Sequence, residues 1–134
     1  MSGLAAILAH HHDPGLFRWH AAFPPDEVAH AVEHAGWRFG YVDGWHHQTR
    51  HEFLTAVGEA LAFPDHYGHN LDALNDCLRD LPGQTVLLWD GWGTLAREDL
   101  TAFDKVRGIL AGHTSKLTTL LRGEGPDVDV PSLD

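Results

Sequence analysis

The stretch Phe63-Pro64-Asp65-His66-Tyr67-Gly68-His69-Asn70-Leu71-Asp72-Ala73-Leu74-Asn75-Asp76-Cys77-Leu78 joins a rigid turn to a short amphipathic helix. Proline lacks an amide donor and pushes the preceding residue out of the helical region, so Phe63-Pro64 ends any helix before it. Asn70 is a good N-cap. From there Leu71, Leu74, Cys77 and Leu78 recur on one side, with Asp72, Asn75, Asp76 and Arg79 on the other. Leu81-Pro82-Gly83 stops this helix. Like charges four residues apart on a solvent face are slightly destabilising. Asp72 lies in the first turn, where the helix dipole favours a carboxylate by ~0.3–1 kcal/mol. Asp76 stands mid-helix without that rationale and points to a cationic partner.

Upstream of Phe63, Thr49 and Glu52 form a capping box, after which Phe53, Leu54, Val57 and Leu61 mark one apolar helix face. Before it, Trp37, Phe39, Tyr41 and Val42 lead to Asp43-Gly44, the pattern of a strand entering a turn. Val28, Ala31, Val32 and Ala35 predict a helix between Pro24-Pro25 and Gly36. On the far side, the unbroken apolar run within Thr85–Trp89 suits a strand covered on both faces, at or near the sheet centre. Asp90-Gly91-Trp92-Gly93 reads as a loop, and a helix is expected near Glu98–Ala111 with Leu100, Phe103, Val106, Ile109 and Leu110 inward. Thr118–Leu121 is the last strand. This order needs helical crossovers, so the expectation is an α/β fold with a parallel sheet of three core strands.

The ends carry weaker signals. Residues 1–15, including His10, His11 and His12, read as a frayed solvated segment, and Gly15–Trp19 as a short strand docked on an edge. From Gly123, Pro126, Pro131 and several acids without periodicity predict a mobile tail. The division expected is therefore an N-terminal extension over 1–36, a domain over 37–122 and a flexible acidic tail over 123–134.

The chain has 134 residues, enough for one domain, with 43% hydrophobic residues and 19 acidic against 9 basic side chains for a formal net charge of -10. That balance opposes sequence-blind binding to phosphate backbones and favours basic partners. No direct nucleic-acid contact is expected. Nor is any run long enough to span a membrane or built like a secretory signal, so a cytoplasmic location is expected. Cys77 has no mate and reads as a small core residue. His66, His69 and Asp72 are zinc-ligand types at three-residue intervals, but two precede the helix and no second cluster supports them, so neither metal nor cofactor is expected. Asp72 and Asp76 share a face, yet a surface helix keeps them ionised and unsuited to acid catalysis. Without a nucleophile elbow or phosphate loop, the chain is not expected to be an enzyme.

Phe63-Pro64-x-x-Tyr67-Gly68-x-Asn70-Leu71-Asp72-Ala73-Leu74-x-Asp76-Cys77-Leu78 resembles the central motif of the barstar family, intracellular inhibitors of barnase-type ribonucleases. The strand-helix lead from Trp37 and the strand-helix-strand continuation through Leu121 agree in order. The resemblance implies a three-stranded parallel sheet packed by helices. It also implies an immunity-type or toxin–antitoxin role, in which the helix from Asn70 and the loop before it plug the active site of a basic ribonuclease. Asp76 would enter the phosphate pocket and Asp72 hold a second basic group at its rim. The partner-binding residues so implied are His66, Tyr67, Gly68, Asn70, Asp72, Asn75, Asp76 and Leu81. His66, Asn75 and Leu81 stand where the family carries aromatic residues, and that departure leaves open a binding module for a partner other than a ribonuclease.

Overall fold

Along Thr85–Asp90 every residue is buried, because successive side chains of this strand point to opposite faces and both faces are covered. The computed structural model describes residues 2–134. Its strands are β1 (Leu16–Trp19), β2 (Arg38–Asp43), β3 (Thr85–Asp90), β4 (Leu117–Arg122) and β5 (Ser132–Leu133), all parallel in the order β2-β3-β4-β1-β5. The helices are α1 (Ser2–Leu8), α2 (Pro25–His34), α3 (Arg50–Ala60), α4 (Leu71–Arg79), α5 (Trp92–Glu98) and α6 (Leu100–Ala111).

The alternation on β3 separates two cores. Leu87 and Trp89 join Val42, Leu117 and Leu121 under α3, α4, α5 and α6. Val86 and Leu88 join Leu120 and Trp19 beneath Leu4 and Ile7 of α1 and Val28 and Val32 of α2. The result is a three-layer sandwich, with the acidic helix α4 on the side carrying four helices.

Several expectations need correction. The sheet has five strands, not three, because β1 pairs with β4 on one side and with β5 on the other instead of docking on an edge. Residues 2–8 form a helix instead of a frayed segment, since Leu4 and Ile7, three apart, bury against the second face of the sheet. The Asp90–Gly93 loop and the single helix near Glu98–Ala111 become two helices, α5 and α6. Trp92 and Leu95 are buried beside Phe103, and Asp99 caps α6 by accepting from the Ala102 amide at 3.0 Å. Leu100, placed inward by spacing, stands in the first turn of α6 and is 50% exposed.

The outer segments belong to the same sheet. Residues 2–36 supply α1, β1 and α2, and the end of the 123–134 segment supplies β5, whose Leu133 is buried with Leu4 and Ile7. Gly3 shows how closely these ends meet: an added Cβ would stand 2.7 Å from both Leu133 Cγ and the Asp134 carbonyl oxygen. At Gly91 the backbone has φ +67, a left-handed turn that lets the chain leave β3 directly into α5.

Candidate partner-binding surface

The surface is built from the α3–α4 connection upward. Thr49 accepts from the Glu52 amide and Glu52 accepts in return from Thr49, closing the expected capping box and setting the start of α3. After α3, the Tyr67 amide donates to the Pro64 carbonyl at 2.9 Å and its ring packs edge-on to Phe63. The Tyr67 hydroxyl donates to the Leu54 carbonyl at 2.9 Å, tying the loop to α3. Burial, together with the nearby Cys77, pushes the Tyr67 hydroxyl pKa up to about 12. Asn70 then caps α4 as expected, accepting from the Ala73 amide at 2.8 Å.

Helix α4 buries Leu74 and Leu78 and leaves Asp72, Asn75, Asp76 and Arg79 exposed. The Asp76 carboxylate has one partner of its own, Arg79 at 3.3 Å, and Arg79 also lies 3.8 Å from Asp80. This exposed i,i+3 pair gives Asp76 a small folding rationale that its position alone did not reveal, worth a few tenths of a kcal/mol at most.

Between α4, the loop before it and the lead-in to β3 lies a groove of about 670 Å³. Of the eight residues implied by the sequence, His66, Tyr67, Gly68, Asn70, Asp72, Asp76 and Leu81 line it. Their roles differ. His66, Gly68, Asn70, Asp72 and Asp76 are exposed at the rim, whereas Tyr67 and Leu81 are 6% and 3% exposed and form the walls. Tyr67 and Leu81 therefore shape the surface more than they present themselves to a partner. Asn75 lies outside the groove, where its Oδ1 accepts from His113 Nε2 at 2.7 Å and links α4 to the end of α6.

The groove also contains residues the motif did not point to. Arg38 at the start of β2, Leu61 just after α3, and Pro82 before β3 line it. They come from separate elements, so no local pattern joins them; only Asp80, four residues beyond Asp76, continues a visible spacing. Cys77 is half-buried in the groove instead of sitting in the core. Burial, then the charges of Asp80 and Asp76, pushes its thiol up and keeps it protonated.

A second polar cluster closes the carboxyl ends of the strands. Arg122 grips Asp90 through Nε to Oδ1 at 2.6 Å and Nη2 to Oδ2 at 2.8 Å, while the Tyr41 hydroxyl donates to Asp90 Oδ2 at 2.9 Å. Arg122 Nη1 donates to the carbonyls of Ala21 and Phe23 at 3.2 and 2.6 Å, fastening the β1–α2 loop. Burial, the bond to Asp90 and its negative charge raise the Tyr41 pKa far above the usual tyrosine value. Asp43 is opposed by burial but ends below the usual carboxylate range, held there by His46 and the Trp45 amide. Among the described residues, no three His, Cys, Asp or Glu side chains converge on a possible metal position, and no helix is long and apolar enough to cross a membrane.

The family model for Barstar (barnase inhibitor) matches residues 37–126. The chain belongs to the barstar family. No curated protein sequence matches it. In fold, this barstar-family chain is similar to the Aeropyrum pernix ORC2 protein in its ADPNP-ADP complexes, with a TM-score of 0.62 and 12% identity over 92% of this chain and 39% of that one. It is also similar to Drosophila ORC bound to DNA, with a TM-score of 0.58 and 15% identity over 84% of this chain and 33% of the other. For Cdc6p from Pyrobaculum aerophilum the TM-score is 0.56, with 18% identity over 92% of this chain and 36% of that chain. The barstar-family chain thus spans about 39% or less of the length of these structures, and the likeness is one of fold.

Proposed function

We propose that this chain inhibits a basic, barnase-type ribonuclease by laying α4 and the preceding loop over the enzyme's active site. The observation that carries this reading is the exposure of Asp72 and Asp76 one turn apart on the groove rim, within a chain of net charge -10. A ribonuclease gathers cationic groups around the scissile phosphate, and a carboxylate can take that phosphate's place through charge-assisted hydrogen bonds. Asp76 makes that central contact, and Asp72 holds a second cation nearer the start of α4. No covalent bond changes; the chain is an inhibitor and not a catalyst. The surrounding acidic surface steers a basic enzyme toward the site, an effect that salt weakens. The partner and the inhibitor meet in the cytoplasm, as an immunity or toxin–antitoxin pair.

Titrating the chain into a panel of barnase-type ribonucleases should abolish RNA cleavage at a near-stoichiometric end point. Asp76→Ala should weaken binding by ~2 kcal/mol or more if Asp76 is a hot spot. An unchanged dissociation constant would remove it from the mechanism.

A second reading keeps the binding surface but changes the partner to a protein that is not a ribonuclease. Tying Asn75 to His113 and leaving His66 in the loop give a rim without the aromatic anchors that usually dominate interfaces. Absence of inhibition across the panel, with a different basic protein bound through Asp76, would favour it. The fold likeness to ORC2 does not bring nucleotide binding with it. The β1–α2 connection, His20-Ala21-Ala22-Phe23-Pro24, lacks the glycines and lysine of a phosphate cradle.

A further inference from the structure

We infer that the groove beside α4 receives an apolar side chain of the partner, flanked by basic residues that meet Asp76 and Asp80. The inference rests on the cationic partner of the preceding reading but adds where that partner's anchor goes. Leu61, Phe63, Leu81 and Pro82 give the groove an apolar lining. Its acidic edge is Asp76 and Asp80, one turn apart at about 6 Å along the α4 axis. An apolar floor beside a row of carboxylates is complementary to an apolar residue between two cations.

Local charges set the orientation. Among the described residues Arg38 is the one lysine or arginine lining the groove, and it lies on β2, so the partner's basic groups belong at the α4 edge and away from β2. Arg79 is the resident counterion of both Asp76 and Asp80, at 3.3 and 3.8 Å, and its pair with Asp76 is solvent-exposed. An incoming arginine displaces it at little cost. This arrangement also accounts for the missing rim aromatics: the anchor comes from the partner and the pocket from this chain, the reverse of an inhibitor that inserts its own aromatic side chains.

The test uses the full chain and an acetylated, amidated peptide Gly-Arg-Ser-Trp-Ser-Arg-Gly, followed by backbone amide shifts in NMR. Shifts should concentrate at Leu61, Phe63, Cys77 and Leu81. Replacing the peptide's tryptophan by alanine, or both its arginines by glutamate, should each weaken binding at least tenfold, as should Ala73→Phe in the protein, which fills the groove from a half-exposed helix position. Equal binding of the analogues, or shifts centred elsewhere, overturns the inference, and neither outcome depends on whether the variant folds. If no ribonuclease is inhibited yet the peptide seats in the groove, the ribonuclease reading falls and this inference stands. If ribonucleases are inhibited equally by the chain and by Ala73→Phe while the analogues bind alike, the inference falls and that reading stands.

Discussion

Replacing Arg122 with methionine tests what joins the β1–α2 segment to the rest of the sheet. The Arg122 and Asp90 side chains are 14% and 5% exposed. Methionine fills similar space but leaves Asp90 charged, with only the Tyr41 hydroxyl as a side-chain partner, and removes the donor to the Ala21 and Phe23 carbonyls. Breaking one partner out of such a buried pair costs ~3–5 kcal/mol, most of it the penalty for the charge left behind. For 134 residues, at about 2.1 cal/mol/K of unfolding entropy per residue, each kcal/mol moves the melting temperature by about 3.5 °C, so the fall should be about 10–18 °C. Thermal and urea unfolding followed by tryptophan fluorescence measure it. Hydrogen exchange should show the Glu27 and Val28 amides, which donate to the Pro24 carbonyl where this loop enters α2, losing protection first. The double variant Asp90→Leu with Arg122→Met removes both charges and should be more stable than Arg122→Met alone. A loss below about 1 kcal/mol in the single variant, or a double variant as costly as the two singles added, would refute the reasoning.

Three further outcomes are expected. Tyr67→Phe removes the buried bond to the Leu54 carbonyl and should cost ~1–2 kcal/mol in urea unfolding, with partner affinity unchanged once the variant is folded. Tyr41 and Tyr67 both have folded-state pKa values above the unfolded value near 10, so the stability they contribute is intact below about pH 10 and is lost as pH rises through the folded values. The urea midpoint should therefore fall from pH 10 toward 12, and less steeply in Tyr67→Phe. Gly93→Ala would place a Cβ 2.1 Å from the Glu124 carbonyl oxygen, backbone against backbone, and should destabilise the chain by ~1–3 kcal/mol or more by the same unfolding assay.

The legible parts of the fold are those whose signals lie within a few residues. The Thr49–Glu52 box, the Asn70 cap and the stop at Leu81-Pro82-Gly83 each pair neighbours, and each appears where the spacing placed it. The continuous apolar run of β3 likewise reports burial on both faces. The five-stranded sheet has no such local signal. Leu16 pairs with Thr119 and Trp19 with Leu133, partners separated by most of the chain, so the four residues of β1 disclose a strand without disclosing its neighbours. Helix α1 is hidden for the same reason: Leu4 and Ile7 become core residues only when Leu133 and the second face of the sheet are brought to them.

At the candidate site, helical period was enough to put Asp72 and Asp76 on one exposed face, and the family motif added the loop ahead of them. Neither could say which of these residues are reachable. Tyr67 and Leu81 are withdrawn into the walls by contacts with α3 and the core, and Asn75 is engaged by His113 across the α4–α6 contact. A partner seated on α4 thus meets carboxylates, His66 and the polar turn, with almost no large apolar side chain offered to it from the rim. Exposed charge alone contributes little net affinity and is screened by salt. Tight binding on this face therefore requires that something displace water from the groove behind the carboxylates. The salt dependence of affinity then separates the two contributions: the fraction that survives at high ionic strength measures the groove, and the fraction that is lost measures the acidic rim.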